Sequence, residues 1–135
     1  MKVVLDTNVL VSALMNPDGP CGRLLGMAFE QIIQPCVDGR ILAEYEGVLP
    51  RPAFGFDPGD VAGALDVIHA VAEALTPRPL RVDLPDPTDL AFLEVAAEAP
   101  AILVTGNSRH FPRGRRAGVT VLTPREFLDR WPQPE

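Results

Sequence analysis

Apolar residues in this chain fall into two patterns, short unbroken runs and longer stretches at helical spacing, and the two alternate. The first run, Val3-Val4-Leu5, ends at Asp6. A short continuous run of this kind predicts a strand buried on both faces of a parallel sheet. Thr7 to Leu14 then reads as a short helix, stopped by the turn Asn16-Pro17-Asp18-Gly19-Pro20. Cys21, Leu24, Leu25, Ala28 and Phe29 repeat at i, i+3, i+4, i+7 and i+8, which predicts an amphipathic helix. Ile32 and Ile33 predict a brief second strand, ended near Pro35.

Asp38 is placed to cap the next helix, whose apolar stripe is Ile41, Leu42, Tyr45, Val48 and Leu49, with Pro50 and Pro52 closing it. Asp57-Pro58-Gly59-Asp60 combines an N-cap, a proline at the first helical position and an acid in the first turn. The helix it opens continues through Leu75. Thr76-Pro77-Arg78-Pro79 breaks it, and Leu80 to Val82 predicts a weak third strand. Asp86-Pro87-Thr88-Asp89 opens another helix, with Leu90, Leu93 and Ala97 among its core residues. Ala101 to Thr105 predicts the fourth strand and Val119 to Leu122 the fifth. Thr123-Pro124-Arg125-Glu126 is a capping box that starts a last helix running to Trp131. Strands alternate with helices throughout, so the expected architecture is a three-layer α/β/α sandwich around a short, largely parallel sheet of four or five strands.

Composition narrows the class. The chain has 135 residues, 47% of them hydrophobic, which suits one domain spanning residues 1–135 and argues against disorder. No apolar run approaches the ~20 residues of a membrane span, and Asp6 interrupts the first apolar segment too early for a signal peptide. A cytoplasmic protein with no membrane partner is the expectation. Cys21 and Cys36 have neither metal-site spacing nor a disulfide framework around them, and read as reduced thiols. A net charge of −6 excludes wrapping nucleic acid by bulk electrostatics. It leaves open a site where acids bind a cation and the local sign inverts.

Several acids are candidates for such a site. Asp6 ends the first strand, at the sheet edge where ligand crevices form in α/β proteins, although it also suits the N-cap of the following helix. Glu44 and Glu46 flank the stripe of their helix on opposite sides, and periodicity does not choose between them. Asp86 and Asp89 read as cap and capping-box partner, yet Asp89 shares a face with Phe92 and Leu93 and would need compensation if buried. The fourth strand ends in Thr105-Gly106-Asn107-Ser108, across the switch point from Asp6. Acids gathered there without Lys or Arg repel one another and are tenable mainly around a cation. An all-oxygen set with no Cys or His selects Mg²⁺ or Mn²⁺, ions suited to phosphodiester hydrolysis. His69 reads as a packing or surface residue. Arg109, Arg113, Arg115 and Arg116 follow the fourth strand, as a solvated run or as a loop that grips phosphate.

The ordered set Leu5-Asp6-Thr7-Asn8-Val9-Leu10, Ile41-Leu42-Ala43-Glu44-Tyr45 with Val48-Leu49, Asp86-Pro87-Thr88-Asp89 with Phe92-Leu93, and Val104-Thr105-Gly106-Asn107 resembles the PIN-domain family of nucleases. It is similar, more narrowly, to the PIN-type toxins of bacterial toxin–antitoxin pairs. The resemblance implies a Mg²⁺- or Mn²⁺-dependent ribonuclease acting on RNA, with a cognate antitoxin as partner and a homodimer as its suggested assembly. It assigns Asp6, Glu44 and Asp89 as the catalytic acids and metal ligands, and so favours Glu44 over Glu46. Asn107 would complete the metal set, although many family members carry an acid there, and Asp86 is a candidate extra acid. Thr7, Asn8, Thr105 and Ser108 would hold the acids or a substrate phosphate by hydrogen bonds, and the arginines would contact RNA. Two rivals remain. A phosphatase using Asp6 as nucleophile lacks the second aspartate, since Asn8 stands there, and the chain's only lysine is Lys2. A degenerate PIN-like module would bind RNA or protein without cutting.

Overall fold

The structure is a computed structural model that describes residues 1–131; the last four positions of the 1–135 span lie outside the described residues. The described residues form five strands interspersed with six α-helices. They are β1 (Lys2–Leu5), α1 (Thr7–Met15), α2 (Pro20–Phe29), β2 (Gln34–Val37), α3 (Gly39–Val48), α4 (Pro58–Val71), β3 (Glu73–Ala74), α5 (Leu90–Glu98), β4 (Ile102–Val104), β5 (Val121–Leu122) and α6 (Pro124–Arg130). The sheet order is β3-β2-β1-β4-β5, and every pairing is parallel. β1 is therefore the central strand, and Val3, Val4 and Leu5 are buried on both faces. On one side α5 packs on β1, β2 and β4, with α3 beside it. On the other, α2 gathers α1, α4 and α6. The expected α/β/α layering is present, with five strands. No helix among the described residues is long and apolar enough to cross a membrane.

The expected caps form. Asp38 accepts from the Ile41 amide at 3.0 Å, Asp57 from Gly59 at 2.7 Å, and Thr123 with Glu126 closes a reciprocal capping box. Both cysteines are free thiols, Cys36 buried and Cys21 half-buried.

Two strands lie elsewhere than their apolar signals suggest. Ile32 and Ile33 do not form β2, because their amides turn back onto the Met27 carbonyl at 2.9 and 3.4 Å and close the end of α2. The strand begins at Gln34 and runs through Pro35. Proline is tolerated there because the Gln34 amide points toward β1, onto the Met1 carbonyl. Position 35 then faces the other neighbour, and β3 pairs only with Cys36 and Val37. The third strand is Glu73–Ala74, not Leu80–Val82, and α4 accordingly stops at Val71 rather than reaching Leu75. Leu80 spends its amide on the Glu94 carboxylate at 2.6 Å, in a segment that prolines keep extended without a strand partner.

Leu103, fully buried in β4 between β1 and β5, tests this core. Leu103→Ala is expected to cost about 2–5 kcal/mol. It should read as a lower urea midpoint with an unchanged slope.

Candidate functional site

The carboxyl ends of β1 and β4 lie side by side, paired Leu5 to Val104, so Asp6 and Thr105 leave the sheet together. Asp6 occupies the N-cap position of α1, yet its side chain makes no cap bond. Its carboxylate is buried and accepts from the Thr105 hydroxyl at 2.7 Å and the Asn8 amide at 3.3 Å. Asn8 also takes the Gly106 amide at 2.9 Å, which ties the two turns together. A Cβ at Gly106 would lie 3.2 Å from the Asn8 oxygen, so glycine lets the turns close. Burial pushes the Asp6 carboxyl above its ordinary range, and the Thr105 hydroxyl works against that shift.

Asp89 arrives from the other side, at the end of a 3₁₀ turn, Pro87–Asp89. Asp86 caps this turn through the Thr88 amide (3.0 Å) and hydroxyl (2.8 Å), which hold its exposed carboxyl below the usual value. Asp89 is not a cap. It is 6% exposed, and its Oδ2 is buried with no hydrogen-bond partner. Burial, and then the charge of Asp6, push its carboxyl up to about 6.

α3 supplies Glu44, which accepts from the Thr7 hydroxyl, while Glu46 turns outward to His69 at 2.8 Å. The structure thus puts Glu44 on the acidic edge and leaves His69 on the surface. Tyr45 anchors the helix beside it, donating its buried hydroxyl to the Leu5 carbonyl at 2.5 Å. Glu44 stays outside the tightest cluster. Ligand atoms of Asp6, Asp89 and His110 lie within 4.8 Å of one another.

His110 was no part of the expected site, and it stands beside the two buried acids. Ser108–His110 forms a 3₁₀ turn that carries the ring to 3.3 Å from Asp89 Oδ2, off hydrogen-bond direction. Asn107 caps this turn, its side-chain oxygen accepting from the Arg109 amide at 3.2 Å. Its NH₂ therefore faces His110 Nε2 at 3.1 Å. The network assigns Nε2 as acceptor and leaves the ring proton on Nδ1, toward Asp89. A ligating histidine needs the opposite arrangement, an acceptor for its second N–H. Asp6 and Asp89 are the buried oxygen donors of this cluster, and the Asn107 oxygen, expected as a ligand, takes the Arg109 amide in its turn. The signal for His110 was its place three residues beyond Asn107, one helical turn past the strand end.

Ser108 is exposed and makes no side-chain hydrogen bond among the described residues. Arg109 and Arg113 are exposed, with side chains free of partners among those residues. Arg115 donates to the Asp83 carbonyl (3.0 Å) and Arg116 to the Phe111 carbonyl (2.8 Å), so these two pin the loop.

No Lys or Arg among the described residues pairs with Asp6 or Asp89. Two buried carboxylates, one with an orphaned oxygen, are the donor set a hard divalent cation fits. A five-stranded parallel sheet whose carboxyl edge gathers such acids defines an α/β protein suited to binding a divalent cation there. The chain belongs to the PIN-domain family, whose family model, described as PIN domain, matches residues 2–109. It is 30% identical to an uncharacterized protein of Methanocaldococcus jannaschii, over 97% of this chain and 92% of that one. Its fold is similar to that of VapBC2 from Rickettsia felis bound to a DNA fragment from their promoter, with TM-score 0.64 and 17% identity over 91% of this chain and 98% of that one. It is also similar to DNA-bound VapBC from Salmonella typhimurium, with TM-score 0.60 and 18% identity over 92% and 98%.

The raised Asp89 carboxyl carries a stability consequence for metal-free protein. A folded-state value near 6, against an ordinary 3.8, means that the folded chain binds this proton more tightly. Stability from this group is present below pH 4 and lost as pH rises to 6. Asp89→Asn should therefore melt above the parent at pH 7 in chelator, by ~1–2 kcal/mol. The gap should close toward pH 4, as followed by thermal denaturation.

Proposed function

We infer that the protein is a Mg²⁺- or Mn²⁺-dependent endoribonuclease, a single PIN-like domain over residues 1–135 that works in the cytoplasm as the toxin of a toxin–antitoxin pair. The observation that carries this reading is the orphaned Asp89 oxygen in a cluster with Asp6: two buried carboxylates brought together by separate segments, with no Lys or Arg partner among the described residues. Membership of the PIN-domain family supports the nuclease chemistry, and the likeness to VapBC proteins supports an antitoxin partner.

Asp6 and Asp89 would hold the divalent cation. When bound, such an ion withdraws charge from a phosphoryl oxygen and lowers the pKa of water. The protein's own groups supply position. Thr105 and Asn8 fix the Asp6 carboxylate, and Tyr45 fixes α3 against the end of β1. Glu44, held by Thr7 at the margin of the pair, orients the attacking water and accepts its proton. Asp86 adds negative charge at the mouth of the site. Arg109 and Arg113 are free to meet the phosphate backbone, and Arg115 and Arg116 keep their charge while bracing the loop.

The second reading, an RNA- or protein-binding module that does not cut, draws support from Asn107, which brings no charge and spends its carbonyl on its own turn. Purified protein separates the two. The parent should cleave a single-stranded RNA in Mn²⁺ and stop in chelator. Asp6→Asn should lower the rate about 100-fold or more and abolish the rise in melting temperature that Mn²⁺ gives the parent. A parent inert in both metals, or an Asp6→Asn protein that cuts at the parent's rate, overturns the nuclease.

A further inference from the structure

A cavity of about 360 Å³ opens between α3 and the start of α5, lined by Arg40, Ile41, Glu44, Pro87, Thr88, Leu90, Ala91 and Phe92. It shares a wall with the acidic site, since Glu44 is one of the acids and Pro87 and Thr88 belong to the turn that presents Asp89. Its size falls in the ordinary range for small-ligand sites. The walls are mostly apolar, and Arg40 is its one cation.

Arg40 is held in place. Its Nε and Nη2 both donate to Asp38 Oδ2, at 2.9 and 2.7 Å, and Nη1 donates to Glu94 at 2.7 Å. Asp38 and Glu94 are buried, and Glu94 is fixed again by the Leu80 amide. Three of the five guanidinium N–H groups are used, leaving two without partners among the described residues, on a side chain 53% exposed. Two carboxylates already outweigh the guanidinium, and Glu44 adds a third negative charge nearby. A phosphate would be repelled here. A neutral edge bearing two acceptors, on a flat apolar body, is what such donors and walls fit.

We propose that this cavity is a nucleobase subsite that takes a guanine of single-stranded RNA beside the cleaved bond, with Arg40 donating to guanine O6 and N7. Guanine is the base whose edge offers two adjacent acceptors to arginine, and adenine replaces one of them with a donor. Pro87 and Leu90 cover the ring faces, and the salt bridges to Asp38 and Glu94 hold the donors with little ordering cost at binding. The subsite rests on the nuclease reading for its place in a reaction. Its base preference does not require cleavage.

The test uses oligouridine with one internal guanosine, or adenosine, inosine or 7-deazaguanosine in its place. Cleavage is followed with the parent in Mn²⁺, and binding with Asp6→Asn protein by fluorescence anisotropy. Guanosine and inosine should be preferred over adenosine about 10-fold or more. 7-Deazaguanosine, lacking N7, should fall toward adenosine. Arg40→Gln, whose amide matches the edge of adenine rather than that of guanine, should erase the guanine preference while the adenosine oligomer is still cut. Leu90→Trp, which fills the cavity and keeps the Asp38–Arg40–Glu94 contacts, should lose the guanine preference if Arg40→Gln proves unstable. Equal cutting and equal binding of all four oligomers overturns the subsite and leaves the nuclease standing. A guanine preference in binding without any cleavage overturns the nuclease and keeps the subsite.

Discussion

The burial of Asp6 depends foremost on one hydroxyl, with the Asn8 amide in support. Thr105 lies 99 positions away in sequence, and only the parallel pairing of β1 with β4 puts it beside the carboxylate. A charged group removed from water without such a donor would be far more costly than the fold can bear. The same hydroxyl receives the Asn107 amide at 3.1 Å, so the donor that steadies Asp6 also fixes the start of the turn bearing His110. Sheet register, the position of Asp6 and the entry of the histidine are thus one linked arrangement. Asp89 is the exception within it, because its inner oxygen has no hydrogen-bond partner among the described residues, and the nearby His110 ring stands off the bonding direction.

Much of this was legible in sequence because local signals and the global fold agree. β1, β4 and β5 are short apolar runs whose backbones are free to pair. Asp38, Asp57 and Thr123 cap their helices as their residues suggest. β2 and β3 were not legible. Glu73–Ala74 offers no apolar run to read, Pro35 forbids a strand unless the neighbouring edge is open, and Ile32–Ile33 carry the stronger apolar signal while their amides serve a helix end. Glu44 could be separated from Glu46 only by likeness to a family, since both sit at similar angles from the helix stripe. His110 went unread because a 3₁₀ turn, which no periodicity announces, brings it back to the strand ends.

Charge is partitioned along the chain in a way that its total conceals. Acids dominate overall, yet the loop after β4 carries a concentration of arginines. Arg115 and Arg116 are committed to backbone carbonyls, and guanidinium planarity lets each brace the loop and remain charged. Arg109 and Arg113, without such duties, stand in solvent on the flank of the acidic edge. A positive rim beside a negative pocket is thereby built from neighbouring residues with different tasks.

The two-residue outer strands have a consequence for how copies of this chain can meet. A strand that short exposes almost no unpaired backbone, so the sheet offers a second copy no rail along which to extend. Fusion of sheets edge to edge, the route by which many α/β proteins grow and aggregate, is closed on both flanks. Any self-association has to be built from helix surfaces and loops, where side-chain shape rather than main-chain pairing decides the fit.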